Sequence, residues 1–111
     1  MNKEDQPIFD FAIRTADVLV NMFGKHCEVA VHDFSNLKQS LIHLAGSVTA
    51  REIGSPATDL ILNQLAKKQD GIKDLCNYQT QSQNGNILKS STVFLRNKNN
   101  KVIGALCINY D

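Results

Sequence analysis

The last twenty-five residues of the chain, Ile87–Asp111, constrain the fold more than any other stretch. Two segments in it are rich in β-branched, aromatic and other apolar residues, Ser91–Arg96 and Val102–Tyr110, and a polar stretch joins them, Asn97–Asn100. Asparagine tolerates the left-handed backbone of tight turns, so the pattern predicts a β-hairpin. The chain ends one residue after Tyr110, and this abrupt end suggests a cut at a domain boundary.

The second of these strands is apolar on both faces. Because successive side chains of a strand point to opposite sides, alternate residues share a face. One face then carries Val102, Gly104, Leu106, Ile108 and Tyr110, and the other carries Ile103, Ala105, Cys107 and Asn109. A strand of this kind is expected to be covered by other elements on both sides.

The composition is that of an ordinary globular domain. Of the 111 residues, 42% are hydrophobic and 21% are charged, and the formal net charge is +1, so the chain has no electrostatic footprint for nucleic acid. The three cysteines, Cys27, Cys76 and Cys107, form neither an even disulfide set nor a metal-binding spacing. The polar N-terminus is not a signal peptide and no apolar run spans a membrane, so we expect a cytoplasmic location.

The N-terminal segment Pro7–Phe23 is predicted to be a helix, with Gly24 as its C-cap. Apolar residues cover more of its circumference than the usual arc of about 100°. One apolar side could cover the sheet while residues such as Phe11 and Val18 meet a second subunit. A deeply buried helix is the alternative interpretation.

The next elements are two strands, Cys27–Phe34 and Ser40–Ala45, which are predicted to form an antiparallel hairpin with a longer loop. The pair Ser55–Pro56 predicts a helix start, with serine as the N-cap and proline at the first helical position, and Gly71 closes this helix.

Two further segments separate that helix from the terminal hairpin. Ile72–Tyr78 is predicted to be a short helix or turn, and the polar segment Gln79–Gly85 an exposed edge or a loop. The order of elements is typical of an α+β domain with an antiparallel sheet.

Four sequence blocks, taken in order, resemble the YheO-like PAS domain family over nearly the whole chain. They are Gly24–Asp33, Gly54–Asp59, Leu88–Thr92 and Ile103–Asp111. The chain departs from the family at two positions. Asn99–Asn100 stands where the family often has Asp-Gly in the turn, and Ala50 stands where a glycine usually precedes the arginine, here Arg51.

The resemblance implies a PAS-like antiparallel five-stranded sheet with helices in the middle of the chain and an N-terminal helix packed on the sheet, in one domain over residues 1–111. It also implies a bacterial transcriptional regulator, because in this family a C-terminal helix-turn-helix follows the PAS domain. That second part is absent here. The chain is therefore expected to sense a small molecule or to form a homodimer through its N-terminal helix, and to reach DNA only through the missing domain.

Catalytic and metal sites are not supported by the residue pattern. His26 and Cys27 are adjacent, and neighbours on a strand point to opposite faces, so they are not expected to form a catalytic pair. His26 and His32 lie about 20 Å apart along a strand, too far to share an ion. His43 could approach either histidine from the paired strand, but no second cysteine or carboxylate cluster completes a ligand set. We therefore predict no catalytic residue, no metal and no cofactor.

A small-molecule pocket is the favoured site, since the resemblance implies a ligand held between the sheet and the helical middle. Arg51 could pair with a ligand carboxylate, although it could equally be a solvated loop residue or cap a carbonyl. Ser91 and Thr92 suit a strand in any case, and Asn109 could simply bond to neighbouring backbone. The predicted ligand-binding residues are His32, Arg51, Ser91, Thr92, Cys107 and Asn109.

Two functions remain open at this point. The first is a ligand-sensing and dimerising PAS domain of a cytoplasmic regulator. The second is a pure dimerisation module with a filled core and no ligand. An enzyme is disfavoured, because no catalytic constellation is assembled by the sequence.

Overall fold

The computed structural model describes residues 1–111, which form an antiparallel sheet with two helices. The strands lie in the spatial order β2-β1-β5-β4-β3, and every neighbouring pair is antiparallel. This confirms the predicted five-stranded α+β architecture. None of the helices is both long and apolar enough to traverse a lipid bilayer. In chain order the elements are α1 (Gln6–Phe23), β1 (Cys27–Asp33), β2 (Leu41–Ala45), α2 (Asp59–Lys68), β3 (Leu75–Gln81), β4 (Ile87–Arg96) and β5 (Val102–Tyr110).

Helix α1 covers one face of the sheet, as predicted. It ends at Phe23, and Gly24 adopts a φ of 81° while its N–H bonds to the Val20 carbonyl. The buried side of α1 presents small and aromatic side chains at helical spacing, and these pack on alternate residues of β1 and β5. This first core consists of Phe9, Ala12, Ala16, Cys27, Val29, Val31, Ala45 and Leu106.

The opposite face of the sheet carries a second, smaller core beneath α2. Its buried members are Ala57, Ile61, Ile72, Phe94 and Ala105. The central strand β5 contributes Leu106 to the first core and Ala105 to the second. The prediction that this strand is covered on both sides is therefore confirmed.

The predicted alternation along β5 is wrong at its first two residues. Leu95 pairs with Gly104, but the next residue of β4, Arg96, pairs with Val102, so the register shifts. This bulge turns Ile103 toward the α1 core and Val102 toward the α2 core, the reverse of the expected faces. The predicted hairpin turn is confirmed, and Asn100 in it adopts a φ of 62°.

Gly104 permits the closest approach between α1 and the sheet. A Cβ at this position would lie 2.2 Å from the His32 carbonyl oxygen and 2.8 Å from the Phe9 ring. Since backbone cannot move aside cheaply, any larger residue would push α1 off the sheet or break the pairing of β1 with β5.

The predicted helix start at Ser55–Pro56 is wrong. The backbone before it is tied to the edge strand β2, because the Leu41 N–H donates to the Ser55 carbonyl and the Gly54 N–H donates to the Leu41 carbonyl. These bonds hold the segment in a non-helical conformation. The helix begins instead at Asp59, where the Thr58 hydroxyl caps it by accepting from the Ile61 N–H at 3.5 Å.

The predicted helix or turn over Ile72–Tyr78 is also wrong, because Leu75–Gln81 forms the edge strand β3. Pairing with β4 overrides the local sequence preference, as tertiary contacts often do in strands. The register shifts between Leu75 and Tyr78, and Asn77 adopts a φ of 55° there. The alternatives for Gln79–Gly85 both hold in part, since its first half is this exposed edge and the rest is a turn.

Candidate functional site

A cavity of about 510 Å³ lies between the sheet and the segment that connects β2 to α2. Its volume falls in the range of about 300–1,000 Å³ that is usual for small-molecule sites. The floor is formed by β1, β3, β4 and β5 on the face opposite α1. The roof is formed by residues 49–58 and the first turn of α2.

Four of the predicted site residues line this cavity. His32 reaches it from β1, Cys107 and Asn109 from β5, and Arg51 from the roof. A fifth residue, Thr92 of β4, is buried beneath the floor, where its hydroxyl donates to the Cys107 Sγ at 3.4 Å. The structure thus brings together residues from four separate segments of the chain.

Ser91 does not reach the cavity. It pairs with Ile108, whose side chain packs against the α1 core on the other face of the sheet. Its hydroxyl oxygen accepts a hydrogen bond from the Asn77 N–H at 3.0 Å, which supports the irregular start of β3. Adjacent strand residues point to opposite faces, so Ser91 and Thr92 could not both have faced a ligand.

His32 is a neutral imidazole at the floor of the cavity. It is only 1% exposed, and its Nδ1 lies 2.7 Å from the Ser40 hydroxyl. Burial, assisted by the nearby charge of Arg51, lowers the pKa of His32 from 6.5 to about 4. The other ring nitrogen, Nε2, has no hydrogen-bond partner in the protein and is not sealed in the interior, so it is available to a ligand.

Cys107 is not arranged as a nucleophile. Burial raises the pKa of the Cys107 thiol, and this outweighs the hydrogen bond from Thr92 that opposes it. Burial likewise raises the pKa of Tyr78, whose hydroxyl lies 2.7 Å from the Thr92 hydroxyl. Both groups therefore stay protonated near neutral pH and act as polar, uncharged parts of the floor.

The Glu28 carboxylate holds the roof to the floor. It has no exposed surface, and it accepts hydrogen bonds from the Val48 N–H at 2.8 Å and the Thr49 N–H at 2.7 Å. The Thr49 hydroxyl and the Asn109 side-chain amide donate to its other oxygen, at 2.7 and 3.3 Å. A buried carboxylate is tolerated when its oxygens are satisfied in this way.

Arg51 occupies the roof directly after the segment that Glu28 anchors. Its guanidinium donates to the Pro56 carbonyl, so the carbonyl-capping interpretation of this residue describes one of its contacts. Ala50 adopts a φ of 59°, a left-handed conformation that favours the glycine usual in the family. The backbone is therefore the glycine-type backbone despite the substitution, and Arg51 keeps its place at the cavity.

Sequence reasoning missed several residues of the site. Tyr78 and Thr80 line the cavity from β3, but that strand was expected to be a helix or turn in its first part, so neither side chain could be placed. The sequence did contain a signal that Glu28 belongs to the site. Glu28 is an acidic residue inside an apolar strand, on the same face as Ala30 and His32, where only a functional or satisfied carboxylate is expected.

The three histidines are dispersed. His32 lines the cavity, and His43 pairs with Asp17 of α1 at 2.8 Å. His26 lies in the turn before β1, beside the Tyr110 ring, and not on the strand as expected. No group of three or more His, Cys, Asp or Glu side chains is placed to hold a metal ion.

The buried neutral His32 predicts a loss of stability in acid. Its native pKa of about 4 lies below the unfolded value of 6.5, so the unfolded chain binds a proton first as the pH falls. The stability that the neutral His32 contributes to the folded protein is fully present above pH 6.5 and is lost between pH 6.5 and 4. Between pH 7 and pH 5 it should cost about 2 kcal/mol of unfolding free energy. Urea unfolding at both pH values measures this.

The variant His32→Gln isolates the effect, because glutamine cannot titrate. Between pH 7 and pH 5 this variant should lose about 2 kcal/mol less unfolding free energy than the wild type. The exposed-site variant His26→Gln is the control and should keep the wild-type loss. Equal losses in wild type and His32→Gln would contradict the assignment.

Comparisons with known proteins concern the family and the fold of the chain. The sequence profile of the YheO-like PAS domain matches residues 2–111. The chain is 43% identical to YheO of Escherichia coli K12 over 96 residues, which is 84% of this chain and 40% of that protein. It is 37% identical to a protein of Haemophilus influenzae Rd over 107 residues, which is 96% of this chain and 48% of that protein.

Two more distant similarities add to these. The transcriptional regulator DauR of Pseudomonas aeruginosa is 24% identical over 109 residues, or 98% of this chain and 50% of that protein. The crystal structure of the PAS domain of a protein from Colwellia psychrerythraea superposes with a TM-score of 0.54 at 18% identity, covering 94% of this chain and 96% of that one. This last similarity concerns the fold.

The chain spans about half the length of the curated relatives that it matches. The profile match nevertheless covers all but one of its residues, and the fold is that of a PAS domain. The chain therefore belongs to the YheO-like PAS domain family.

Proposed function

We propose that residues 1–111 form the small-molecule-sensing domain of a cytoplasmic transcriptional regulator. The observation that carries the proposal is the cavity of about 510 Å³, whose roof and floor are lined with polar side chains from separate elements. A module that served only as packing would gain stability by filling this space with apolar side chains. The proposed role is regulatory and not enzymatic, in keeping with the similarity to the transcriptional regulator DauR.

The positive charge of Arg51 favours an acidic ligand. Arg51 is the only arginine or lysine that lines the cavity, and His32 beside it is neutral. A guanidinium pairs with a carboxylate through two parallel hydrogen bonds, which fixes the orientation of the ligand as well as adding affinity. The remaining predicted ligand-binding residues, His32, Cys107 and Asn109, would contact the ligand from the floor, with Thr92 holding Cys107 from below.

A structural change caused by the ligand would be transmitted from the cavity to α1 through the sheet. Ala30 and His32 of β1 line the cavity, while their neighbours Val29 and Val31 pack against α1. A ligand that binds one packing of this strand better than another shifts the position of α1 and of the end of β5. DNA would be contacted by a separate helix-turn-helix domain, in the part of the relatives that this chain does not cover.

A thermal-shift screen against amino acids, carboxylates, amines and nucleotides tests the sensing role. A carboxylate ligand at 100 times its dissociation constant should add about 2.7 kcal/mol, which raises Tm by several degrees for a domain of this size. The variant Arg51→Gln should abolish the rise, because it removes the cationic partner. Native mass spectrometry of the untreated protein should show a co-purified small molecule where one is retained.

The control for this experiment is Arg14→Gln, which removes an exposed arginine on α1, remote from the cavity. It should leave the ligand-induced rise unchanged. A blank screen together with the absence of any co-purified molecule would contradict the sensing role and leave the dimerisation module as the better account.

Dimerisation through α1 has an observation of its own. Phe11, Val18 and Met22 form a stripe on the outer side of the helix and are 68%, 63% and 76% exposed. Beside the helix, Val93 of β4 and Tyr110 of β5 are each 44% exposed on the part of the sheet that α1 leaves open. We propose that the α1 stripe of one copy packs over this surface of a second copy in a two-fold symmetric dimer.

The variant Val18→Glu should convert the dimer into a folded monomer, since a carboxylate at the centre of the stripe would be buried without a partner. Sedimentation equilibrium gives the mass, and circular dichroism verifies the fold. The matched control is Asn21→Glu, an exposed polar position on the same helix, which should remain dimeric. A Val18→Glu protein that stays dimeric would rule out this interface.

A further inference from the structure

A chain of hydrogen bonds crosses the whole floor of the cavity, from β3 to β1. The Thr80 and Ser90 hydroxyls lie 2.8 Å apart, and the Ser90 hydroxyl donates to the Asn109 side-chain carbonyl at 2.8 Å. The Asn109 amide group then donates to the Glu28 carboxylate at 3.3 Å. Each strand of the floor contributes one member to this chain.

The carboxylate fixes the direction of every bond in the chain, because it can only accept. Asn109 must present its NH₂ group to Glu28, so its carbonyl oxygen is left to accept from Ser90. Ser90 has one hydroxyl proton, and that proton is used. Thr80 must therefore be the donor in its bond to Ser90.

A second, shorter chain of hydrogen bonds runs beside the first, from Tyr78 through Thr92 to Cys107. Its direction is also set by the fact that a hydroxyl group has one proton to donate. The Thr92 hydroxyl donates its proton to the Cys107 Sγ at 3.4 Å. With the Thr92 proton directed at Cys107, Tyr78 is the donor in the bond of 2.7 Å between Tyr78 and Thr92. The tyrosine proton points into the floor, away from the space that a ligand would occupy.

Two other hydroxyls that line the cavity also donate their single proton to a partner within the protein. Thr49 donates its proton to Glu28, and Ser82 donates its proton to Asn84 in the β3–β4 turn. Tyr78, Thr80, Thr49 and Ser82 thus offer only oxygen lone pairs to the cavity. The β3 side of the cavity therefore accepts hydrogen bonds, while Arg51 in the roof donates them.

From this polarity we infer that the cavity takes a small bipolar acid, with a carboxylate at one end and a hydrogen-bond-donating amine at the other. The carboxylate binds Arg51, and the amine donates to the Tyr78 and Thr80 oxygens. Apolar lining residues, Ala30, Ile61 and Leu88, contact the aliphatic part between the two ends. The inference rests on the proposed sensing function and specifies its ligand class.

Matched probes test the inference. The set consists of straight-chain amino acids of three to six carbons with the amine on the terminal carbon, each compared with the acid that lacks the amine and the amine that lacks the acid. Isothermal titration should show at least one amino acid binding about tenfold or more tighter than both of its partners, since each end loses a charge-assisted hydrogen bond when it is removed.

Two variants locate the amine. Tyr78→Phe and Thr80→Val each remove an acceptor oxygen at the β3 side and should weaken the best amino acid about fivefold to tenfold. Both should leave the affinity for the matched acid unchanged, which shows that the cavity is intact. Gln79→Ala, on the opposite face of β3, is the control and should leave both affinities as they are.

The outcomes separate this inference from the function on which it rests. A simple acid that binds as tightly as its amino acid, or an amino acid whose affinity is unaffected by both β3 variants, overturns the bipolar ligand and leaves acid sensing in place. Failure of all three probe classes to bind overturns the inference, and a hit from another class in the broad screen would then still support sensing.

Discussion

The Glu28 carboxylate lies near the start of strand β1 with no exposed surface, and its burial would cost several kcal/mol without partners. Two backbone N–H groups, a hydroxyl and an amide satisfy it. Three of these four donors belong to the segment after β2, so the segment cannot leave the sheet without exposing an unpaired charge. The roof of the cavity, and Arg51 with it, is held in place by this interaction.

The same carboxylate sets the chemistry of the cavity. A group that only accepts hydrogen bonds must be surrounded by donors, and each donor that turns toward it has one proton fewer to give elsewhere. Through Asn109 and Ser90 this constraint reaches Thr80 on the far edge of the sheet. The acceptor character of Thr80 thus follows from one buried residue, and Arg51 supplies the opposite polarity from the roof.

Local pattern was enough to predict the elements whose side chains are sorted by burial. The inner apolar side of α1, the alternation in β1 and the two-sided β5 are all visible in the sequence, because each reflects contact with a core. The strands that carry His32, Cys107 and Asn109 could be predicted for the same reason, and the choice of these residues as candidate ligand contacts came from the family resemblance. Arg51 came from the family resemblance and its loop position.

The errors have a common origin in non-local backbone pairing. Ser55–Pro56 has the residues of a helix start, but the bonds of Ser55 and Gly54 to Leu41 across the loop prevent it. Strand β3 is polar and exists through its pairing with β4. The local pattern therefore did not show that Tyr78 and Thr80 line the cavity. The bulge that reverses Val102 and Ile103 depends on the register with β4, which no pattern within β5 reveals.

The most direct test of this account is amide hydrogen exchange at Val48 and Thr49, the two backbone groups that donate to Glu28. Both lie outside the sheet, yet they should exchange much more slowly than unstructured peptide, as slowly as amides within β1. The variant Glu28→Gln should speed both by at least about tenfold while the β1 amides keep their protection. Exchange of Val48 and Thr49 at unprotected rates in the wild type would contradict the central role of Glu28.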